Sequence, residues 1–477
     1  MAGNFVVGEN KVRPGIYFRT TTGGSLPQAG AVNGIVAVAL KANWGPLGTV
    51  MNLSSPSEIY DIFGDDAAAA SNTALISKIF DGGAAVVKAV RVGTGGTKAT
   101  IILKDDSTAP GVDVMSLTAK NAGTRALAVT VRDNLGDPAG KRDLIVYSGT
   151  KELTKVTFAK GSAEAESAVA AINAITASGI TAAFVATGSG KLKAISQTAF
   201  TTLGASPIIT SADYSAALTA LEAENWNVLC VDSNDTAVHA LVASFISRVT
   251  NAGLMGMAVI AEATSVAIAD RYAHALAFNS PNLIFVLNGA NTAAGVLIDG
   301  FNIAGIIAGM VAAYPSNQSL THAPVPGAFS VAGALTHAQI ESGLIGGALI
   351  LTISASGIVW IEQGINTLTT LSADQDAGWK KIRRTKTRYE LIQRILDSTE
   401  GIVGTVNNDS NGRQTFIAAA NGVGARMIAE GKLLECIVEE DAGHLAEGDS
   451  AWFIINVVDL DSIEKVYITY VFRFTEA

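Results

Sequence analysis

The sequence predicts a multidomain protein of mixed α+β and α/β class with extended terminal arms, and three stretches carry that prediction. Between Asp213 and Asn288 apolar strands alternate with helices, the strands starting near residues 227, 257 and 283, a spacing that suits parallel βαβ units. Between Lys98 and about Ser206 the pattern changes to short alternating strands, which read as an inserted β-rich domain, a small sandwich. The third stretch is DLDSIEKVYITYVFRF, Asp459 to Phe474. Here Val466, Ile468, Tyr470, Phe472 and Phe474 alternate with Tyr467, Thr469, Val471 and Arg473, the period of a strand. Such a strand at the end of a chain exposes an edge that a second copy would cover most simply. An ordinary internal edge strand is the alternative.

Composition narrows the function classes. The 477 residues are 49% hydrophobic and only 16% charged, with 48 glycines, a surface expected to be covered largely by other subunits. Cys230 and Cys436 sit in apolar strand-like runs and are expected to be reduced core residues of a protein made in the cytoplasm; alone they make no metal framework. The N-terminus lacks the basic region and apolar run of a secretory signal. Leu344 to Ile361 carries no charge, but Gly346, Gly347, Thr352, Ser354, Ser356 and Gly357 interrupt it, so a hairpin turning at Ser354 to Gly357 is expected rather than a membrane span. A formal charge of −9 argues against a nucleic-acid binder.

In chain order, residues 1–34 read as an arm holding a short extended piece around Ile16, Tyr17 and Phe18. Ile35 to Leu40 is a buried strand, and Ser57 to Phe63 a short helix opened by Ser55 and Pro56. A second helix from about Thr73 to Phe80 stops at Asp81, Gly82 and Gly83, and the strand AAVVKAVRV follows. The order VRPGIYFRT, GIVAVALKANWGPLGTV, a helix pair and GGAAVVKAVRVG, across Val12 to Gly93, resembles the N-terminal part of contractile tail sheath proteins of phages and phage-derived bacteriocins.

The resemblance continues. LTAKNAGTRALAVTVRD resembles the sheath β-domain, departing from it at Arg125 and Ala126, where a Gly-Asn pair is usual. The strand–helix repeat lies where sheath proteins carry a subtilisin-like α/β domain. HAPVPGAF from His322, and GLIGGALILTISASGIVWIEQGINTLTT with its Ile365 to Leu368, match most specifically. Helices over Lys380 to Gly401 and Gly412 to Glu430, then strands LLECIVEE and AWFIINVVD, complete an α+β C-terminal domain. The expected division is 1–34 arm, 35–97 first part of the α/β region, 98–207 β-sandwich-like insertion, 208–370 central α/β domain, 371–458 inner C-terminal domain and 459–477 arm strand.

No catalytic constellation is legible. Gly188-Ser189-Gly190-Lys191 lacks the first glycine of a phosphate loop, Val185 standing there, and has Leu192 in place of the magnesium-binding hydroxyl, so a turn is expected. His239, His274, His322, His337 and His444 lie in unrelated settings, and no nucleophile context accompanies them. Asp232, Ser233, Asn234 and Asp235 follow a parallel strand, where open α/β sheets bind ligands, yet these residues equally cap the next helix. No cofactor and no metal is expected.

Residues 380–394 hold Lys380, Lys381, Arg383, Arg384, Lys386, Arg388 and Arg394 against one Glu, a local charge of +6 that leaves −15 on the rest. A solvated helix face, a nucleic-acid patch and an electrostatic dock are the three readings. In sheath proteins the C-terminal domain lies against the tail tube, so the resemblance implies a basic helix meeting an acidic tube. It further implies hexameric rings stacked helically around a tube, with tube, baseplate and tail terminator proteins as partners. Neither direct nucleic-acid binding nor membrane insertion is expected, and assembly would take place in the cytoplasm of a bacterial host. The arm segments Ile16, Tyr17, Phe18 and Val466, Tyr467, Ile468, Thr469, Tyr470, Val471, Phe472 would join sheets of neighbouring subunits. A static shell or surface-layer protein and an α/β enzyme are the rival readings; phage and bacteriocin origins stay open.

Overall fold

Four strands without a charged residue, Val228–Val231, Met257–Ala261, Leu283–Val286 and Ala348–Leu349, are buried along their whole length. Apolar residues on both faces require cover on both faces, the condition of a parallel sheet. They pair in parallel, Val228 with Met257, Ala258 with Leu283 and Phe285 with Ala348. Helices Thr236–Asn251 and Ile268–Phe278 make the crossovers, so the βαβ spacing read from the sequence is the one the chain adopts. Ile35 flanks the first strand: its N–H donates to Asn227 Oδ1 at 3.0 Å and its carbonyl accepts from Asn227 N–H at 3.0 Å.

The computed structural model describes residues 2–4, 16–18, 34–65, 71–108, 110–175 and 179–472. They fall into two compact units, residues 1–37, 78–85 and 225–477 in one and residues 38–77 and 86–224 in the other. Among the described residues no helix is long and apolar enough to cross a membrane. The uncharged run 344–361 is the expected hairpin: Leu351–Ile353 pairs antiparallel with Val359–Ile361, and Gly357 N–H closes the turn on Ser354 O at 2.9 Å.

The second unit holds the β-sandwich-like insertion. One sheet runs in the order Lys151–Ala159, Lys141–Ser148, Leu127–Asp133, Ile195–Ala199, the other Ile180–Phe184, Asp113–Ala119, Thr100–Lys104. Leu103, Met115, Leu117, Val129, Leu144 and Val146 fill the core of this unit. The Gly188 to Lys191 turn receives no outside anion, because Asp105 of the same unit occupies it: Ser189 N–H donates to Oδ2 at 2.7 Å, Val112 N–H to Oδ1 at 2.8 Å and Ser107 Oγ to Oδ1 at 2.6 Å. Those bonds, the Ser107 hydroxyl first, hold the carboxyl at about 2. Arg125, the departure from the sheath pattern, is a buried brace whose guanidinium lies 4.8 Å from the Tyr60 ring centroid and 5.3 Å from that of Trp44.

In the first unit the helix Phe301–Ala313 has no charged residue, and Ile303 to Ala312 are all buried. Two glycines let it approach the chain at residues 79–82. A Cβ on Gly309 would stand 2.1 Å from Ile79 O and 2.8 Å from Gly82 Cα. Gly309→Val should therefore lower stability by about 2–3 kcal/mol through overpacking; urea unfolding measures this, and a loss below about 0.5 kcal/mol contradicts the close approach.

Candidate assembly site at the C-terminal arm

The C-terminal part of the first unit consists of the basic helix Ile382–Thr399, the helix Ser410–Ala429 and an antiparallel hairpin, Leu433–Glu440 with Phe453–Asp459. Leu391, Ile395, Ala420, Val423, Met427, Leu433, Cys436 and Val438 form its core. Among the described residues no third strand joins the hairpin. Leu434, Ile437 and Ile454 are exposed on it.

After Asp459 the chain leaves the hairpin, and residues 460–472 carry no regular secondary structure in the single chain. The expected strand is therefore unpaired here; Arg473 and Phe474 lie outside the described residues. Val466, Tyr467, Ile468, Tyr470, Val471 and Phe472 are all exposed, between 65% and 90%, and Thr469 is exposed with them. Tyr470 and Phe472 share one side, ring centroids 6.4 Å apart, as a period of two requires. At the other end of the chain Ile16, Tyr17 and Phe18 form a strand parallel to Ala2–Asn4.

The root of the arm, by contrast, is tied down by the basic helix. Arg384 takes Asp459 in a two-point grip, Nε donating to Oδ2 at 2.8 Å and Nη2 to Oδ1 at 2.6 Å, and reaches Asp376 Oδ2 at 3.3 Å. Burial pulls this guanidinium down, but the hydrogen bonds and charge of Asp459 raise it above its ordinary value. Gly378 is what lets Arg384 lie there, since a Cβ would fall 1.5 Å from Nη1. Arg383 Nη1 donates to Leu460 O at 2.7 Å. Lys381 pairs with Asp461, and with Glu464 at 3.1 Å. Glu464 also accepts from Ser319 Oγ at 3.1 Å, Thr321 Oγ1 at 2.9 Å and Gln363 Nε2 at 3.1 Å. Burial works against that carboxylate, yet the Gln363 bond and the Lys381 charge hold it below the ordinary range.

Three other cations of the stretch are also engaged within the chain. Lys380 Nζ donates to Thr369 O at 2.8 Å. Lys386 donates to Val311 O and Tyr314 O, at the carbonyl end of the Phe301–Ala313 helix, and burial lowers it to about 7. Arg394 joins Glu390 at 2.9 Å and Glu430 at 2.8 Å. Charge alone marks this stretch in the sequence, yet Arg383 and Arg384 are buried, at 4% and 8% exposure. The partners of Lys381, Arg383 and Arg384 are Asp376, Asp459, Asp461 and Glu464, and the acidic opening of DLDSIE was the available signal for three of them.

The enzyme-like features resolve into structure. Asp235 caps the helix Thr236–Asn251 by accepting Ala237 N–H at 2.8 Å, and Asn234 Oδ1 accepts Phe301 N–H at 2.9 Å. Among the described residues no group of three His, Cys, Asp or Glu could hold a metal ion.

Residues 208–367 match the family model of the phage tail sheath protein central domain. That stretch is a phage tail sheath central domain. The sheath tail protein of Desulfitobacterium hafniense superposes with a TM-score of 0.68 at 20% identity, over 94% of this chain and 100% of that one. The helical sheath of the anti-feeding prophage, solved in its contracted state, gives a TM-score of 0.54 at 9% identity, over 98% of both chains. At these identities the likeness is one of fold. In Bacillus subtilis (strain 168), the phage-like element PBSX protein XkdK is 26% identical over 431 residues, 85% of this chain and 80% of the relative. Across the chain the fold is that of the sheath proteins it superposes on.

Two outcomes follow from the clamp. Arg384→Met leaves Asp459 and Asp376 without their cation and should lower stability by about 3 kcal/mol, read by urea unfolding; an unchanged midpoint contradicts the pairing. Glu464 has a depressed folded value, so its stabilisation is present above the ordinary 4.5 and is lost as pH falls through the folded value. A nitroxide on a Ser462→Cys chain should become more mobile over that acid range, whereas adding Glu464→Gln should make it mobile already at neutral pH. Identical mobility of the two chains at every pH contradicts the clamp.

Proposed function

We propose that this sheath chain polymerises as hexameric rings stacked around a tail tube and contracts to drive the tube through a cell envelope. The observation that carries the reading is the exposed apolar segment Val466 to Phe472 leaving a root held by ionic contacts. A segment of this composition is costly to leave in water and is suited to adding as a strand to another copy's sheet. Backbone pairing between arms stays intact while whole subunits swing, so a mesh of such arms survives a large change of radius. Contraction is then a downhill conversion from an extended state set during assembly and needs no nucleotide.

The partners on this reading are other copies of the chain, a tail tube protein, a baseplate and a tail terminator, assembled in the cytoplasm of a bacterial host. The Ile16 to Phe18 segment is the second arm strand. The domain division read from the sequence puts the basic helix in the inner domain, and that domain would face an acidic tube. The fold shared with a sheath solved in its contracted state supports contraction over a static shell.

A chain ending at Glu464 keeps the clamp and loses the arm. It should remain folded, with an unchanged unfolding midpoint, and form no tubes, whereas the full chain with its tube protein should give hollow striated cylinders under negative stain. Normal tubes from the truncated chain would overturn the reading.

A further inference from the structure

Six of the seven cations in the basic stretch are held by carboxylates or main-chain carbonyls of the same chain; Arg388 is not. Its guanidinium lies 3.7 Å from the Trp379 ring centroid, and among the described residues its one hydrogen bond runs from Nη2 to Thr385 Oγ1 at 3.2 Å. The acids closest to it in charge, Asp459 and Asp376, are taken up by Arg384. Burial without a paired anion lowers this guanidinium to about 10.

Arg388 lines a surface cavity of about 210 Å³, shared with Thr250, Asn251, Asn282, Gln375 and Trp379. The lining contains no Asp or Glu. Gln375 Oε1 accepts Ser372 N–H at 3.1 Å, and Asn282 Oδ1 accepts the Tyr389 hydroxyl, which leaves both amide nitrogens as donors. A planar cation beside two amide donors, in a recess with room for several waters at about 30 Å³ each, is the chemistry of a carboxylate receptor.

We propose that this cavity receives a carboxylate side chain from a neighbouring copy of the chain. The chain carries 42 acids against 33 bases, so copies that meet bring carboxylates in excess to the one cation of the stretch that has no acceptor of its charge among the described residues. The proposal rests on the polymerisation reading and names one contact that the arms do not make.

The test uses the full chain and two readouts. N-acetylglutamate amide is titrated as probe, with N-acetylglutamine amide as the neutral isostere, against tryptophan emission, and a Trp379→Phe chain identifies the reporting ring. Polymerisation is followed by sedimentation for the wild type, R388Q and R388K. The proposal expects a saturable response to the acid probe alone, lost in R388Q, together with about a tenfold rise in the concentration at which R388Q polymerises. R388K, keeping a point charge, should recover part of both. Equal responses to acid and neutral probes, or R388Q polymerising as the wild type does, would overturn it. A wild-type chain that binds the probe but never polymerises would overturn the polymer reading and the neighbouring copy as donor, while a chain that polymerises without responding to the probe would overturn the pocket alone.

Discussion

The grip of Arg384 on Asp459 is the contact on which the C-terminal architecture depends. Asp459 is the last residue of the hairpin and the first of the arm, so one ion pair fixes both where the sheet ends and in which direction the free segment departs. A buried pair of this kind adds little net stability when formed, but leaving either member alone is costly, which makes it a device for geometry. Around it Arg383 and Lys381 extend the hold by five residues to Glu464, while Gly378 supplies the space that the guanidinium fills.

Beyond Glu464 the physics changes within one residue. The root is tied down through Asp459, Leu460, Asp461 and Glu464, with Ile463 exposed among them; the segment from Val466 onward is mostly apolar, exposed and unpaired among the described residues. A strand donated to another molecule needs both properties. A floppy root would add ordering entropy to every association, and an arm paired along both edges within its own chain would have no edge to offer. The hairpin shows the complementary condition, two strands with no third beside them among the described residues. An isolated two-stranded sheet is marginal in water and gains from an added strand.

Much of the fold could be read from residues alone, and the reasons are particular. Val228–Val231, Met257–Ala261 and Leu283–Val286 are continuous apolar runs at regular spacing, and burial on both faces leaves a parallel sheet as the outcome. The Ser354 to Gly357 turn was legible because glycine and serines interrupt an uncharged run. The basic helix was visible as charge, but which acids answer it depends on contacts up to 83 residues apart, as between Lys381 and Glu464, and spacing in sequence carries no such information. The Gly188 to Lys191 turn shows the same limit: its Ser189 amide does hold an anion, and that anion is Asp105, 84 residues away. Charge in a helical stretch says nothing of what lies against it, which is why the burial of Arg383 and Arg384 was not legible.

The central claim is that a clamped root presents a free arm to another copy, and a cryo-electron-microscopy map of the polymer formed by the full chain with its tube protein tests it most directly. The account predicts Val466 to Phe472 as a strand hydrogen-bonded in the sheet of a neighbouring copy, with the Arg384–Asp459 and Lys381–Glu464 contacts unchanged inside each subunit. A polymer in which that segment folds back onto its own chain, or in which the root has let go of the basic helix, would contradict it.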